Sequence, residues 1–351
     1  MKRRRALRAA GALAVMAAQS PLPLSSPLQA QGRRKPGFYE GGGSKERAVR
    51  FTSRDATLAG TLLLPLISEL QAVPGVVLIA GSGPTDRDGN NTLVPERIDL
   101  LKQIAELLAK NGIASLRYDK RGIGQSTLRP RTSLAAEEAF FAWDYFVADV
   151  EAAHTELLRH GEIKPYATAL LGHSEGGLLA LAAGTSLGKK VHALVLASTP
   201  GRPLDEIVRA QVERNAPELR GAVDRTIAAI LASGHVPTGL PRELDLLFPP
   251  YAGPFLQKLF SFDPARAVAE LPTACLLLQG GADRQVVPMA DVQPLIDAMR
   301  IRGRPGEAIV FPQVSHNLKL VHDPVDPGFG GPLAPAVAET LVKWLVPVLG
   351  A

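Results

Sequence analysis

From residue 76 onward, predominantly apolar segments alternate with segments whose apolar residues recur at helical spacing. An apolar run is typical of a strand that is buried on both faces of a sheet. The order strand, helix, strand predicts βαβ units, and therefore a mostly parallel sheet with helices on both faces. The predicted strands are 76–80, 113–118, 167–171, 193–196, 274–279 and 308–311, and the predicted helices are 98–108, 140–158, 178–183, 292–299 and 334–348.

Two further segments complete the predicted α/β architecture. Short strands at 49–51 and 57–64, separated by a turn, predict an N-terminal antiparallel hairpin. Residues 200–268 contain helix-like stretches and proline breaks but no convincing buried strand, and we interpret them as a helical cap inserted over the site. A second packed subdomain without a role in binding is the alternative. The predicted core comprises residues 46–199 and 269–351.

Residues 1–30 have the pattern of a signal peptide. Five basic residues and no acidic residue accompany an apolar stretch too short to span a bilayer, and Ala30 ends a possible cleavage site. We therefore expect an exported protein, periplasmic or secreted, with no stable membrane insertion after removal of the leader. The general and twin-arginine routes both fit, and a basic tail on a cytoplasmic protein is the alternative. The glycine-rich residues 31–45 predict a flexible linker.

Charge and cysteine content argue against a nucleic-acid partner and against a disulfide or a reactive thiol. The net charge of +5 comes from the leader, because the remaining residues have a net charge of zero. The charge balance therefore gives little reason to expect a nucleic-acid partner. Cys275 is the only cysteine, so an intramolecular disulfide is excluded, and its apolar neighbours predict a buried, unreactive thiol. The sequence makes no prediction about the oligomeric state.

The segment Gly172–Gly177 has the pattern Gly-x-Ser-x-Gly and lies between a predicted strand and a predicted helix. In such a nucleophile elbow the turn is sharp and strained, and only small neighbours such as Gly172 and Gly176 leave room for it. The hydroxyl of Ser174 would then be held above the sheet, within reach of a substrate and a histidine. A glycine-rich turn that merely opens a helix is the alternative, and the surrounding sequence must decide between them.

A serine nucleophile needs an adjacent base, and the base needs an acid that orients it. One known arrangement has the chain order Ser, then Asp or Glu, then His. Asp283 follows the predicted strand that ends at residue 279, and His316 follows the strand that ends at residue 311. Both loops leave strand ends at the sheet edge where the elbow is expected. These residues predict a catalytic triad of Ser174, Asp283 and His316.

Two other residues compete for these roles. His322 lies six residues after His316 and is an alternative base, although it is farther from the strand end. Asp291 is an alternative acid, but it begins a helix and is interpreted as a surface residue. Asp283 itself could be only a turn former after two glycines. His173, next to the serine, is expected to point away from it.

Acyl transfer also requires donors for the developing oxyanion, usually two backbone N–H groups. The residue after the nucleophile, Glu175, is expected to provide one of them. The loop after the strand 76–80 is expected to provide the other, with Ser82 as the first choice and Gly83 as the second. Pro84 has no N–H and is excluded.

The same loop continues with acidic and basic residues that superficially resemble a calcium-binding loop. The twelfth position counted from Asp86 is Arg97 and not Glu, so we expect no metal site. A structural role is the preferred interpretation. Arg87 and Arg121 are expected to pair with acidic neighbours and stiffen two loops around the site, the candidate partners being Asp86, Asp88 and Asp119.

Three motifs carry a resemblance to a known group. They are Gly-Ser-Gly-Pro-Thr-Asp-Arg-Asp-Gly-Asn at 81–90, Tyr-Asp-Lys-Arg-Gly-Ile-Gly-Gln-Ser at 118–126 and Gly-His-Ser-Glu-Gly-Gly at 172–177. With them the chain resembles the α/β-hydrolase superfamily and, within it, bacterial carboxylesterases. The resemblance implies the α/β-hydrolase fold and hydrolysis of small carboxylic esters, usually with short acyl chains, without a cofactor. It also supports the three triad residues.

The sequence therefore predicts a serine hydrolase that cleaves ester bonds through an acyl-enzyme intermediate. A serine peptidase or amidase of the same fold would use the same machinery and is the first alternative. A non-catalytic binding protein on a hydrolase scaffold is the second, although such a protein needs no triad. Perhydrolase or lyase activity also stays open, because a fold does not fix its chemistry.

Overall fold

The computed structural model describes residues 43–66, 72–130, 132–323 and 326–351, so the predicted signal peptide and most of the predicted linker lie outside the described residues. Eight strands form one sheet in the order β1-β2-β4-β3-β5-β6-β7-β8. The strands are β1 (Ser44–Ser53), β2 (Ala56–Pro65), β3 (Val73–Ile79), β4 (Ala114–Tyr118), β5 (Ile163–His173), β6 (Ala193–Ala197), β7 (Ala274–Gly280) and β8 (Gly306–Phe311).

The pairing of the strands confirms the predicted fold class. From β4 through β8 every neighbouring pair in the sheet is parallel. The hairpin of β1 and β2 is antiparallel and adds to β4 in antiparallel orientation. Since β1 begins at Ser44, the last two residues of the predicted linker belong to the first strand. The carboxyl ends of β3 through β8 consequently meet at one edge of the sheet.

The central strands are buried on both faces because their side chains alternate between two apolar clusters. In β3, Val77 and Ile79 pack into the cluster on one face, whereas Val76 and Leu78 pack into the cluster on the other. All four side chains are fully buried. The two layers of helices therefore clamp the sheet and fix the positions of the strand ends.

The helices are distributed over both faces. They are α1 (Leu100–Lys110), α2 (Leu134–Phe140), α3 (Trp143–Leu158), α4 (Glu175–Leu187), α5 (Leu204–Asn215), α6 (Arg220–Ser233), α7 (Gly253–Ser261), α8 (Pro264–Glu270), α9 (Gln293–Ile301) and α10 (Pro335–Leu349). Helices α1 and α10 supply apolar residues to one cluster, and α3, α4, α8 and α9 supply them to the other. None of the helices in the described ranges has the length and apolar character needed to cross a membrane.

The segment between β6 and β7 is described throughout and contains helices and turns but no strand. Helices α5, α6 and α7 form the helical insertion, whereas α8 packs against α4 and α9 and belongs to the core. The insertion rests on an aromatic cluster. The ring of Phe141 lies 4.8 Å from that of Tyr251, and the ring of Trp143 lies 5.6 Å from those of Phe255 and Phe262.

That cluster explains a difference from the predicted helix 140–158. The helical path breaks after Phe140, because Ala142 has an extended backbone with φ −60° and ψ 142°. The break leaves Phe141 at the end of one helix and Trp143 at the start of the next, and both rings contact the insertion. The apolar periodicity of the sequence does not show this break, because the contacts that accompany it are made with a segment distant in sequence.

Candidate active site

Ser174 lies in the sharp turn between β5 and α4. Its backbone has φ 55° and ψ −124°, a strained conformation for a residue with a side chain. The N–H of Ser174 donates to the carbonyl of Ala197 at 2.8 Å, which ties the turn to the neighbouring strand. Its side chain makes no capping hydrogen bond to the helix that it precedes. The hydroxyl is therefore not consumed by helix capping.

Glycines make this turn possible because backbone atoms fill the space where side chains would lie. A Cβ at Gly172 would overlap the carbonyl of Gly176, and a Cβ at Gly176 would overlap the carbonyls of Ile79 and Ala80. The elbow thus packs backbone against backbone.

Gly172→Ala should therefore lower the free energy of unfolding by about 3 kcal/mol, the upper end of the usual cost of overpacking. Urea unfolding followed by circular dichroism measures this loss. Gly161→Ala is the matched control, because an added Cβ there would meet no atom within 4 Å. Equal unfolding midpoints for the two variants would contradict the steric argument.

Asp283 and His316 meet beyond the ends of β7 and β8. Nδ1 of His316 lies 2.8 Å from Oδ2 of Asp283, and both side chains are buried. Two backbone hydrogen bonds hold the loops together: the N–H of Gly281 donates to Phe311, and the N–H of Ala282 donates to Val314. Since the strands are parallel neighbours, both loops leave the same edge of the sheet, as the sequence predicts.

The carboxylate of Asp283 is surrounded by donors. Its Oδ1 accepts the backbone N–H groups of Gln285 at 2.8 Å and Val286 at 2.9 Å. Its Oδ2 accepts the side-chain amide of Gln279 at 2.9 Å in addition to His316. Four donors fix the position and orientation of the carboxylate. Gln279 was not predicted as part of the site, because its only signal in the sequence is a polar residue near the end of an apolar strand.

His173 links the position of His316 to that of Ser174, its neighbour in the chain. Its Nε2 lies 2.9 Å from the backbone carbonyl of His316, and the centroids of the two rings are 4.8 Å apart. A carbonyl can only accept, so Nε2 carries the proton. Burial, followed by the nearby charge of His316, lowers the pKa of His173 to about 3. His173 therefore stays neutral near pH 7. Because it is the residue directly before Ser174, its contact with the carbonyl of His316 keeps His316 close to Ser174.

The structure separates the competing residues. His322 is exposed. Asp291 does not pair with His316 and, contrary to the interpretation as a surface residue, is 2% exposed. Its Oδ1 accepts Nε of Arg202 at 2.8 Å, and its carbonyl accepts the N–H of Gly201 at 2.5 Å. Asp291 thus anchors the segment that leads into the helical insertion.

The loop after β3 lies against the elbow. A Cβ at Gly81 would lie 3.3 Å from Cβ of Ser174, so the first residue of the loop adjoins Ser174. Ser82 is exposed directly after it. Glu175 is the first residue of α4, and the first N–H groups of a helix have no acceptor within it. The predicted oxyanion donors Ser82 and Glu175 thus belong to segments on either side of Ser174.

A buried ion pair links these two segments. Nζ of Lys120 donates to the carbonyl of Gly81 at 2.5 Å and lies 3.8 Å from Oε1 of Glu175. Burial lowers the pKa of Lys120 and raises the pKa of Glu175. The sequence motifs include both residues, but only the fold shows that their side chains meet.

The predicted loop pairing is half correct. Nη2 of Arg87 lies 2.6 Å from Oδ2 of Asp119, which joins the loops after β3 and β4. Arg121 instead pairs with Asp149 at 2.7 Å and with Asp55, so its predicted partners are wrong. Within the described residues, no three His, Cys, Asp or Glu side chains are placed to hold a metal ion.

Comparisons with known proteins identify the family. The model of the alpha/beta hydrolase family matches residues 76–327, which is more than half of the chain. Esterase EstD of Thermotoga maritima is 28% identical over 306 residues, covering 84% of this chain and 68% of EstD.

Solved structures share the fold. Alpha/beta hydrolase GrgF from Penicillium has a TM-score of 0.57 at 19% identity, with 88% of this chain and 100% of GrgF covered. An esterase of Pyrococcus furiosus has a TM-score of 0.53 at 18% identity, with 93% of this chain and 100% of the esterase chain covered. Est1E from Butyrivibrio proteoclasticus, solved with ferulic acid, has a TM-score of 0.56 at 15% identity, with 87% and 100% covered. The chain, with its eight-stranded sheet and matched family model, belongs to the alpha/beta hydrolase family.

Proposed function

We propose that this protein is a serine hydrolase that cleaves small carboxylic esters, preferably those with short acyl chains. The observation that carries the proposal is the 2.8 Å contact between His316 and Asp283 beside the strained turn at Ser174. The likeness to Esterase EstD supports ester bonds as the target. The preference for short chains rests on the resemblance of the three sequence motifs to bacterial carboxylesterases.

In the first half of the reaction, Oγ of Ser174 attacks the ester carbonyl carbon and its proton passes to Nε2 of His316. Asp283 holds the imidazole with Nδ1–H toward the carboxylate and stabilises the imidazolium that forms. The N–H groups of Ser82 and Glu175 bind the oxyanion of the tetrahedral intermediate. The carbon–oxygen bond to the alcohol then breaks, and the alcohol leaves with the proton from Nε2.

In the second half, water replaces the alcohol. His316 takes a proton from the water, whose oxygen attacks the acyl carbon and forms a second tetrahedral intermediate. The bond to Oγ of Ser174 breaks, Oγ recovers its proton from Nε2, and the carboxylic acid leaves. The same two donors serve both oxyanions, so the order of release is alcohol first and acid second.

A series of p-nitrophenyl esters from acetyl to palmitoyl, run beside amino-acyl anilides, tests the proposal. We expect kcat/KM to be highest for acetyl to butyryl esters and at least 100-fold lower for anilides. A fluorophosphonate should add to the protein once, at Ser174, as seen by intact mass and peptide mapping. A preference for anilides would establish the peptidase alternative, and absence of both turnover and labelling would leave a binding protein.

We also propose that the protein is exported, on the basis of the basic and apolar segments in residues 1–30. Fusing residues 1–35 to alkaline phosphatase, which is active only after export, should give active enzyme in the periplasm of a bacterial host. Replacing Arg4 and Arg5 by Lys in a fluorescent-protein fusion distinguishes the two routes, since only twin-arginine transport should then fail. A reporter that stays in the cytoplasm in both fusions would contradict export.

A further inference from the structure

One buried ammonium contacts both segments that carry the proposed oxyanion donors. Lys120 is 4% exposed, and its Nζ donates to the carbonyl of Gly81 at 2.5 Å. The same Nζ lies 3.8 Å from the carboxylate of Glu175, which offsets part of the cost of burying a positive charge. No other feature of the proposed chemistry uses this pair of side chains, although Lys120 is buried and Glu175 is partly buried directly after the proposed nucleophile.

The carbonyl that Lys120 binds shares a peptide plane with the proposed donor. The C=O of Gly81 and the N–H of Ser82 belong to one peptide unit, and in a trans peptide they point in opposite directions. Fixing the carbonyl toward buried Lys120 therefore turns the N–H of Ser82 the other way. Ser82 is exposed, and Gly81 on the same peptide lies next to Ser174.

Without such a contact this peptide would be free to turn over. Gly81 has no side chain and so permits a wide range of backbone angles. In the reversed orientation a carbonyl oxygen would face the oxyanion and repel it. A hydrogen bond from a charged donor is about twice as strong as a neutral one, and it also polarises the peptide so that its N–H donates more strongly.

We propose that Lys120 is a positioning residue that holds the Gly81–Ser82 peptide with its N–H facing the oxyanion. Glu175 assists by its side chain as well as by its backbone, since its carboxylate keeps the buried ammonium paired. This inference rests on the proposed function, because it assumes acyl transfer at Ser174. It also selects Ser82 over Gly83 as the donor.

The neighbouring peptide provides a matched comparison. The carbonyl of Ser82 shares its peptide plane with the N–H of Gly83, and it accepts Oγ1 of Thr85 at 2.8 Å. Thr85→Val removes that contact without changing the size of the side chain, whereas Lys120→Met removes the contact to Gly81. If Ser82 is the donor, Lys120→Met must be the more damaging change.

The test measures kcat, KM and the inhibition constant of a trifluoromethyl ketone, which forms a tetrahedral adduct with the nucleophile. Losing one oxyanion donor lowers kcat by about 10² to 10³. We expect Lys120→Met to lower kcat about 100-fold and to raise the inhibition constant of the ketone by a similar factor. Its KM should stay within threefold of the wild-type value. Thr85→Val should change all three by less than threefold. A greater loss in Thr85→Val, or an unchanged ketone affinity in Lys120→Met, would overturn the proposal.

A separate variant is the control for loss of stability. Arg302→Met removes a cation that donates to the carbonyls of Thr273 and Pro305 at the opposite edge of the sheet, so it should lower the melting temperature but not kcat. If Lys120→Met does not fold, Glu175→Gln is tested in its place. We expect this variant to lose about tenfold in kcat and in affinity for the ketone. A loss below threefold would contradict the proposal. If the wild type hydrolyses no ester, fluorophosphonate labelling rates give the same comparison, so the two proposals fail independently.

Discussion

Ser174→Ala should lower kcat for the preferred p-nitrophenyl ester by about 10⁶, the loss expected when the nucleophile of a serine triad is removed. The backbone strain at this position comes from the turn and not from the hydroxyl, so the variant should fold normally. Its KM should change little, because the oxyanion donors and the binding surface are retained. Steady-state kinetics on protein purified from a host without background esterase measures the effect.

Fluorophosphonate labelling is the control for this variant. Wild-type protein should gain the mass of one adduct, and Ser174→Ala should gain none. Circular dichroism and the melting temperature should match those of the wild type. Ester turnover that survives the substitution in the folded variant would contradict the assignment of Ser174.

Asp283→Asn should lower kcat by about 10⁴, and the hydrogen bonds explain why the loss is so large. The position of Oδ1 accepts the N–H groups of Gln285 and Val286, so the amide NH₂ of an asparagine cannot lie there. The NH₂ takes the position of Oδ2, opposite Nδ1 of His316 and the side-chain amide of Gln279, which can rotate to present its unpaired oxygen. The imidazole would then accept at Nδ1 and carry its proton on Nε2, where it can no longer take one from Ser174.

Asp291→Asn is the matched control, since Asp291 is also a buried aspartate in the segment between β7 and α9. It contacts Arg202 and not His316. We expect a lower melting temperature with kcat within threefold of the wild type, measured in the same assay. The reverse result, with the larger kinetic loss in Asp291→Asn, would mean that the wrong carboxylate has been placed in the triad.

The fold was predictable because its determinants are local. Buried strands such as 76–80 are continuous apolar runs, and the turn at Ser174 requires glycines that stand in a recognisable pattern. The pairing of Asp283 with His316 followed from a topological rule, because parallel neighbours deliver their loops to the same edge. Local pattern and sheet geometry together were sufficient for these features.

The features that escaped prediction depend on side chains that are distant in sequence. Lys120 meets Glu175 across 55 positions, and the partner of Arg121 proved to be Asp149 because aromatic rings and a buried carboxylate surround its guanidinium. Charges in loops have many possible partners, and their selection requires the three-dimensional packing. Asp291 was misjudged for the same reason, since its burial depends on Arg202, 89 residues earlier.

The anchoring of Asp291 has a consequence for engineering the specificity of this protein. Gly201 and Arg202 lead into the helical insertion, and both bind Asp291 in the segment between β7 and α9 that also carries Asp283. The insertion is therefore exchangeable only from residue 203 onward, because Gly201 and Arg202 must be kept. A chimaera that imports insertion helices from a relative without an arginine at this junction would leave a buried carboxylate without its cation, eight residues from Asp283, the proposed triad acid. Grafts that begin after residue 202 avoid that defect.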